Sequence, residues 1–255
     1  MRYLLPALLV LTTGTGAIAG PPEEQDRPPF QAPRSSPDFL FGRPDGSVGV
    51  RGSWVFARAS SDWFDFVGEQ LTIDDGAFNA PAIGADVAFS MSPRLDAVFS
   101  VDYSSRKAFS EYRSFAENGL PINQTTELRG VNLGGSLKFS LTPRGDEVGR
   151  LAWVPRGVVP YVGAGGGFYW FEMLQYGDFV DYTDYSIFTD AFESSGWTPS
   201  VSLFGGADVK LHRRVFLNLE ARYLWATGDL GPQWVGFEPI DLAGLRVATG
   251  INFVF

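Results

Sequence analysis

The chain has 255 residues, a net charge of −9, one histidine and no cysteine. No basic patch runs along it, which argues against nucleic-acid binding, and the lack of cysteine excludes disulfides, thiolate metal sites and lipoprotein acylation. Apolar residues make up 45% and aromatics 15%, with 30 glycines, a mixture that suits a β protein rich in turns and close backbone packing.

The stretch Met1-Arg-Tyr-Leu-Leu-Pro-Ala-Leu-Leu-Val-Leu sets one positive charge before an apolar run, and Ala17-Ile-Ala19 offers the small residues of a cleavage site. Residues 1–20 therefore read as a cleaved signal peptide rather than a spanning helix. Residues 21–45 are rich in proline and poor in periodic apolar positions, the pattern of a flexible N-terminal segment. No later apolar run reaches roughly 18 residues, so no transmembrane helix is expected after the signal.

From Gly46 onward the signal is alternation with period two. In 46–58, Val48, Val50, Trp54 and Phe56 share a side opposite Arg51, Ser53 and Ala57. In 82–92, Ile83, Val87 and Phe89 oppose Gly84, Asp86 and Ser90; in 95–105, Phe99, Val101 and Tyr103 oppose Asp96, Ser100 and Asp102. The same holds for 130–142, 198–211, 215–226 and 241–255, whereas the glycines of 158–172 leave the phase of that strand open. Eight strands result. Short links at 92–94, 143–157 and 212–214 alternate with long polar ones at 59–81, 106–128, 173–197 and 227–240.

Strands of about ten to thirteen residues with one apolar face can cross a bilayer when tilted. A sheet in lipid cannot leave an edge unpaired. The expected fold is therefore an all-β, eight-stranded antiparallel up-and-down transmembrane barrel over residues 46–255, with short turns at one end and long loops at the other. Aromatics on the apolar side gather at strand ends: Trp54, Phe56, Tyr103, Tyr223 and Trp225 towards the long loops, Phe89, Phe139, Phe253 and Phe255 towards the short turns. Two such girdles mark where rings meet headgroups.

Three stretches carry a family resemblance: Leu242-Ala-Gly-Leu-Arg-Val-Ala-Thr-Gly-Ile-Asn-Phe-Val-Phe255, Pro160-Tyr-Val-Gly-Ala-Gly-Gly-Gly-Phe-Tyr-Trp-Phe171 and Gly134-Gly-Ser-Leu-Lys-Phe-Ser-Leu141. With them the chain resembles the bacterial outer-membrane β-barrel proteins of the OmpA/OmpX/OmpW-like group. The resemblance implies a Gram-negative outer-membrane location, contact with outer-membrane lipid and lipopolysaccharide, and recognition of the terminal strand by the barrel-assembly machinery, with Phe255, Phe253 and Ile251 as the signal. It departs from OmpA in that no peptidoglycan-binding domain is expected after Phe255.

The inward parity supplies Arg51, Lys138, Lys210, Arg222 and Arg246 against Asp86, Asp96, Asp102, Asp208 and Glu220. Buried charges must be paired, so Arg51, Asp86, Asp102, Lys138, Asp208, Lys210, Glu220, Arg222 and Arg246 are expected to form an ion-pair network that plugs the lumen. A plugged barrel would act structurally or through its loops, meeting an extracellular ligand or host surface. The alternative is a narrow pore for small or hydrophobic solutes, as in the OmpW kind.

Residues 173–197 set Asp178, Asp181, Asp184, Asp190 and Glu193 among Tyr176, Phe179, Tyr182, Tyr185, Phe188 and Phe192. The spacing does not match an EF-hand, and a solvated acidic loop over the barrel mouth is expected. Gly163-Ala-Gly-Gly-Gly167 lacks the Lys-Ser/Thr of a phosphate loop. Gly52-Ser-Trp54 and Thr183-Asp-Tyr185 look like lipocalin motifs and keep a secreted binding barrel as a weaker alternative, although lipocalins bury an apolar lumen. His212 sits in a short turn, and without cysteine no histidine-based triad can be built at the loop end. No enzyme activity, cofactor or metal is expected.

Overall fold

A computed structural model describes residues 39–255; the expected signal peptide, 1–20, and most of the proline-rich segment lie outside the described residues. Eight strands form a closed antiparallel ring: β1 (Gly46–Ala57), β2 (Ala80–Ser90), β3 (Leu95–Glu117), β4 (Leu120–Ser140), β5 (Val158–Val180), β6 (Ile187–His212), β7 (Val215–Gly228) and β8 (Gly244–Val254). Each pairs with the next. β8 closes onto β1 in a continuous register from Gly244↔Ala57 to Val254↔Ser47.

The faces follow the period-two alternation. Val50, Trp54, Ile83, Phe89, Phe99, Val101, Leu133, Leu203, Leu219, Val247 and Phe253 are exposed around the whole outer wall, while Asp96, Asp102, Asn132, Ser200, Asn218, Arg222 and Arg246 are buried inside it. In water, such a wall would forgo about 1.5–3 kcal/mol for each large apolar side chain. An unbroken apolar band on a ring without edges is the surface of a transmembrane barrel. Phe89, Phe139, Phe253 and Phe255 face outward near the short turns; Trp54, Phe56, Tyr103 and Trp225 do so nearer the long loops, where Tyr223 packs against Trp225 at 4.6 Å. The fifth strand, whose phase the glycines hide, adds Phe168 and Trp170 to this side, and Trp170 pairs in register with Trp197 of β6.

The glycines of β5 explain themselves once the phase is known. Gly163, Gly165 and Gly167 point inward. A Cβ there would lie 2.2 Å from the Phe204 ring, 2.4 Å from Ser136 Cβ and 2.0 Å from the Leu133 carbonyl oxygen. They let β5 lie close against its neighbours and leave room for Phe204 in the lumen.

Four strands exceed the expected length. β3, β4, β5 and β6 run to 23, 21, 23 and 26 residues. The segments 106–128 and 173–197, expected as loops, are the upper halves of two hairpins. Alternation continues there, but the buried side mixes Ser110, Gln124, Thr126, Gln175 and Ser194 with Ala108, Tyr112, Ile122 and Met173, so the contrast between the two faces fades. Asn118 and Gly119 turn the first hairpin with φ of 51° and 82°, the left-handed pair that a two-residue turn requires. From Tyr103 to Glu117 the wall rises roughly 35 Å further, at ~3.3 Å per residue and ~40° tilt. The other four strands are 11 to 14 residues long.

The first long link is not a plain polar loop. It carries an α-helix, α1 (Asp62–Gln70), whose buried face is Trp63, Phe64 and Val67. That face lies in the hollow of the raised wall. The chain after it covers the free edge of β3: Leu71 bridges Tyr112, and the Thr72 N–H donates to the Glu111 carbonyl at 2.8 Å.

At the opposite end, residues 39–45 do not share the flexibility expected of the proline-rich segment. Leu40–Phe41 pairs with Trp153 and Ala152, and 152–155 pairs with 145–148, giving a small three-stranded sheet at the short-turn mouth. Trp153 is buried, and Gly145 leaves the space its ring fills.

Candidate functional site

The lumen is the most organised polar region of the molecule. Near mid-height, Arg51 donates through Nη1 to Asp86 at 2.8 Å, and through Nε and Nη2 to Asp102 at 3.0 and 2.8 Å. The Asp102 contact is the two-pronged geometry that suits a planar guanidinium. Gly84 makes it possible: a Cβ there would lie 2.2 Å from Asp102 Oδ1.

Across the lumen runs a second chain of contacts. Lys138 Nζ pairs with Asp208 at 2.6 Å and lies 3.8 Å over the Tyr161 ring. Asn218 donates to Asp208 at 2.8 Å and to the Tyr161 hydroxyl at 2.7 Å; that hydroxyl donates to Glu220 at 3.1 Å. Glu220 accepts from Arg222 Nε at 2.9 Å, and Arg222 rests on the Phe204 face at 4.2 Å. Each carboxylate therefore meets a cation or a hydroxyl, as burial demands.

Lower still, Arg144 reaches up from the link after β4. It pairs with Asp96 at 2.5 Å and donates to Ser90 Oγ and the Ser92 carbonyl at 2.9 and 2.7 Å. Burial lowers its basicity against the raising effect of Asp96. Lys210, which parity placed among the luminal charges, bonds the Pro155 carbonyl at 3.4 Å at the short-turn mouth. A cavity of about 80 Å³ lies among Arg51, Asp96, Lys138, Arg144 and Trp153.

One residue expected in the network is not part of it. Arg246 is buried, but among the described residues no carboxylate pairs with it. It faces Arg222 in register across β7 and β8 and lies 5.8 Å from the Tyr169 ring. It sits above the paired charges: its register partners are Val55 on β1 and Arg222 on β7, neither of them an acid, and Asp102 is already held by Arg51.

Above Arg246 the lumen becomes apolar. Trp63 and Phe64 of α1 pack with Phe78, Phe171, Met173, Leu224, Trp234 and Ile240 in one buried cluster. The Trp63 ring lies 5.0 Å from Phe64, 5.9 Å from Phe78 and 6.0 Å from Trp234. Hydrogen bonds tether this cap: Asp62 accepts the Glu238 N–H at 3.0 Å, Asp241 accepts from Ser60 Oγ at 2.6 Å, and Arg106 Nε donates to the Ala77 carbonyl at 2.9 Å. Gln175 donates to Gln124 at 2.6 Å, which donates to the Asp178 carbonyl at 2.8 Å. Beside them burial pushes the Tyr112 hydroxyl up to about 12, with Tyr182 adding to the effect.

The acidic aromatic segment splits in two. Phe179 and Phe192 pack at 4.6 Å, and Phe192 touches Trp234 at 6.0 Å, so they belong to the cap. Asp181 and Asp184 accept the N–H groups of Thr183 and Ser186 and shape the hairpin tip. No group of three or more potential metal-ligating side chains occurs among the described residues. The lipocalin-like positions fall apart: Trp54 faces outward in β1, and Tyr185, with φ of 59°, lies in the tip of the β5–β6 hairpin. His212 ends β6 at the short turn.

Sequence reasoning missed Tyr161, Arg144 and Phe204. Tyr161 was hidden by the unphased glycine strand, and Arg144 stands in a link with no periodicity. Phe204 shows in the sequence only as an aromatic on an otherwise small and polar inward side.

No family model and no curated protein sequence matches the chain. Among solved structures it is similar to the outer membrane protein OprG from Pseudomonas aeruginosa (12% identity, 85% of this chain and 99% of that one, TM-score 0.45). It is also similar to Neisserial surface protein A (11%, 84% and 99%, TM-score 0.44) and to AlkL, an outer membrane protein solved in DMPC bilayers (19%, 88% and 95%, TM-score 0.34). At such identities and TM-scores the likeness says nothing of function. By its own strand ring and apolar belt the chain is an eight-stranded transmembrane β-barrel, and these three solved structures are outer-membrane barrels of the OmpA, OmpX and OmpW type.

Proposed function

We propose that the chain is an outer-membrane barrel with a sealed lumen, and that it works through the raised wall and cap at its long-loop end as a surface-interaction protein. The observation that carries this reading is the succession of barriers along the axis: Trp153 and Arg144 at one mouth, the Arg51–Asp86–Asp102 contacts at mid-height, and the Trp63 cluster at the other mouth. A hydrated ion crossing such a barrel would have to separate buried ion pairs and displace an apolar plug. No catalytic role is assigned to any residue.

In this reading the long-loop end faces outward and the small sheet at 145–155 faces the periplasm. Phe253 and Phe255 lie exposed on the outer wall of the closing strand, positioned for recognition by the assembly machinery. Outer-leaflet lipid, lipopolysaccharide included, would meet the belt at Tyr103, Trp170 and Trp197. Planar-bilayer recording of the refolded barrel tests the proposal. Silence with protein verifiably inserted supports it. Discrete, reproducible steps that change on replacing Glu220 or Arg222 would overturn it in favour of a narrow solute pore.

A further inference from the structure

Between the cap and the ion-pair network lies a cavity of about 30 Å³ that Arg246, Arg106, Ser104 and Tyr169 help to line. Two of its cations have no anionic partner. Arg246 is only 6% exposed and makes no ion pair among the described residues. Arg106 gives its Nε to the Ala77 carbonyl and likewise pairs with no carboxylate. The acid in the wall, Asp241, is occupied by Ser60, the Ala243 N–H and Arg58. Arg129 also borders the space, but its guanidinium is already paired with Glu127 and Glu172 at 2.6 and 2.8 Å.

We propose that this cavity binds one small inorganic anion of the size of chloride, held by Arg246 and Arg106. A buried charge without a partner is strongly destabilising, and Arg222 directly opposite adds like-charge repulsion. Water is the competing occupant, since a void of this size admits one or two molecules. Water would solvate the guanidinium and leave its charge in place; an anion removes both problems. Phe64 and Phe78 roof the cavity, so the bound ion is shielded from bulk salt, unlike a counterion at the surface.

The test is thermal unfolding of the full chain in detergent at constant ionic strength, with chloride exchanged for gluconate, which is too large for the space. The expected result is a melting temperature that rises saturably with chloride, loses that dependence in Arg246→Met and has it weakened in Arg106→Met. Wild-type crystals soaked in bromide should show an anomalous peak between the two arginines, and that result stands even if a variant fails to refold. Coincident chloride and gluconate curves with no bromide peak would overturn the proposal and leave water as the occupant. Chloride dependence retained in Arg246→Met would overturn it as well, by placing the ion elsewhere.

Discussion

The lower and upper halves of the lumen are filled by opposite means. Below, Arg51, Lys138 and Arg144 close the space through paired charges at 2.5 to 3.0 Å. Above, the cap closes it with aromatic rings and a short amphipathic helix. The lower filling is specific and brittle, because removing one member leaves its partners charged and buried. The upper filling is diffuse: each ring contributes by area and contact, and its loss leaves a hole, not an orphaned charge.

That contrast can be broken experimentally. The largest effect is expected from Arg51→Met, which strands Asp86 and Asp102; urea unfolding in lipid vesicles should show a loss of about 3–5 kcal/mol. Neutralising both acids in the same chain should restore most of it. Trp63→Ala should cost about 3 kcal/mol, but locally: limited proteolysis should open 58–79 while the heat-resistant barrel band on a gel persists. If that variant unfolds the whole barrel, the two halves are one cooperative unit and the contrast fails. Gly119→Ala, at φ of 82°, should cost about 1–2 kcal/mol, confined to hydrogen exchange at the hairpin tip. The smallest effect comes from Tyr112. Its hydroxyl titrates higher in the folded chain than the ~10 of a free phenol, so its contribution is full below pH ~10 and lost as pH rises through about 12. A tyrosinate absorbance titration should show a late phase near pH 12, and Tyr112→Phe should reduce its amplitude by one tyrosine.

The contrast also explains what could be read from the sequence. Alternation in 46–58, 82–92 and 215–226 fixed both faces, because one side meets lipid and the other does not. Above the membrane that difference disappears, so 106–128 looked like a loop, although Asn118-Gly119 marks its turn. The helix was legible in principle: Trp63, Phe64, Val67 and Leu71 fall on one helical face, inside a segment otherwise read as polar. Parity could say which charges enter the lumen but not which of them meet. Arg51 reaches Asp102 two strands away, Lys138 reaches from β4 to Asp208 on β6, and Arg144 arrives from a turn. Partner choice across a lumen depends on height and stagger, which one-strand patterns do not encode. Arg246 shares the parity of the network and still stands apart from it.

The joint between β8 and β1 brings together residues roughly 200 positions apart, the most distant pairing in the ring. Every other strand can pair with a neighbour that precedes it directly. Until Val254 meets Ser47, the growing sheet has two naked edges, each a template for a wrong partner. A chain built this way is exposed to mispairing longest at its own beginning, where β1 must wait for the final strand. The hydrogen bonds from Phe255 to Gly46 and from Asp45 to Phe255 therefore sit where the waiting ends, and slow formation of this one seam should govern how fast the barrel matures.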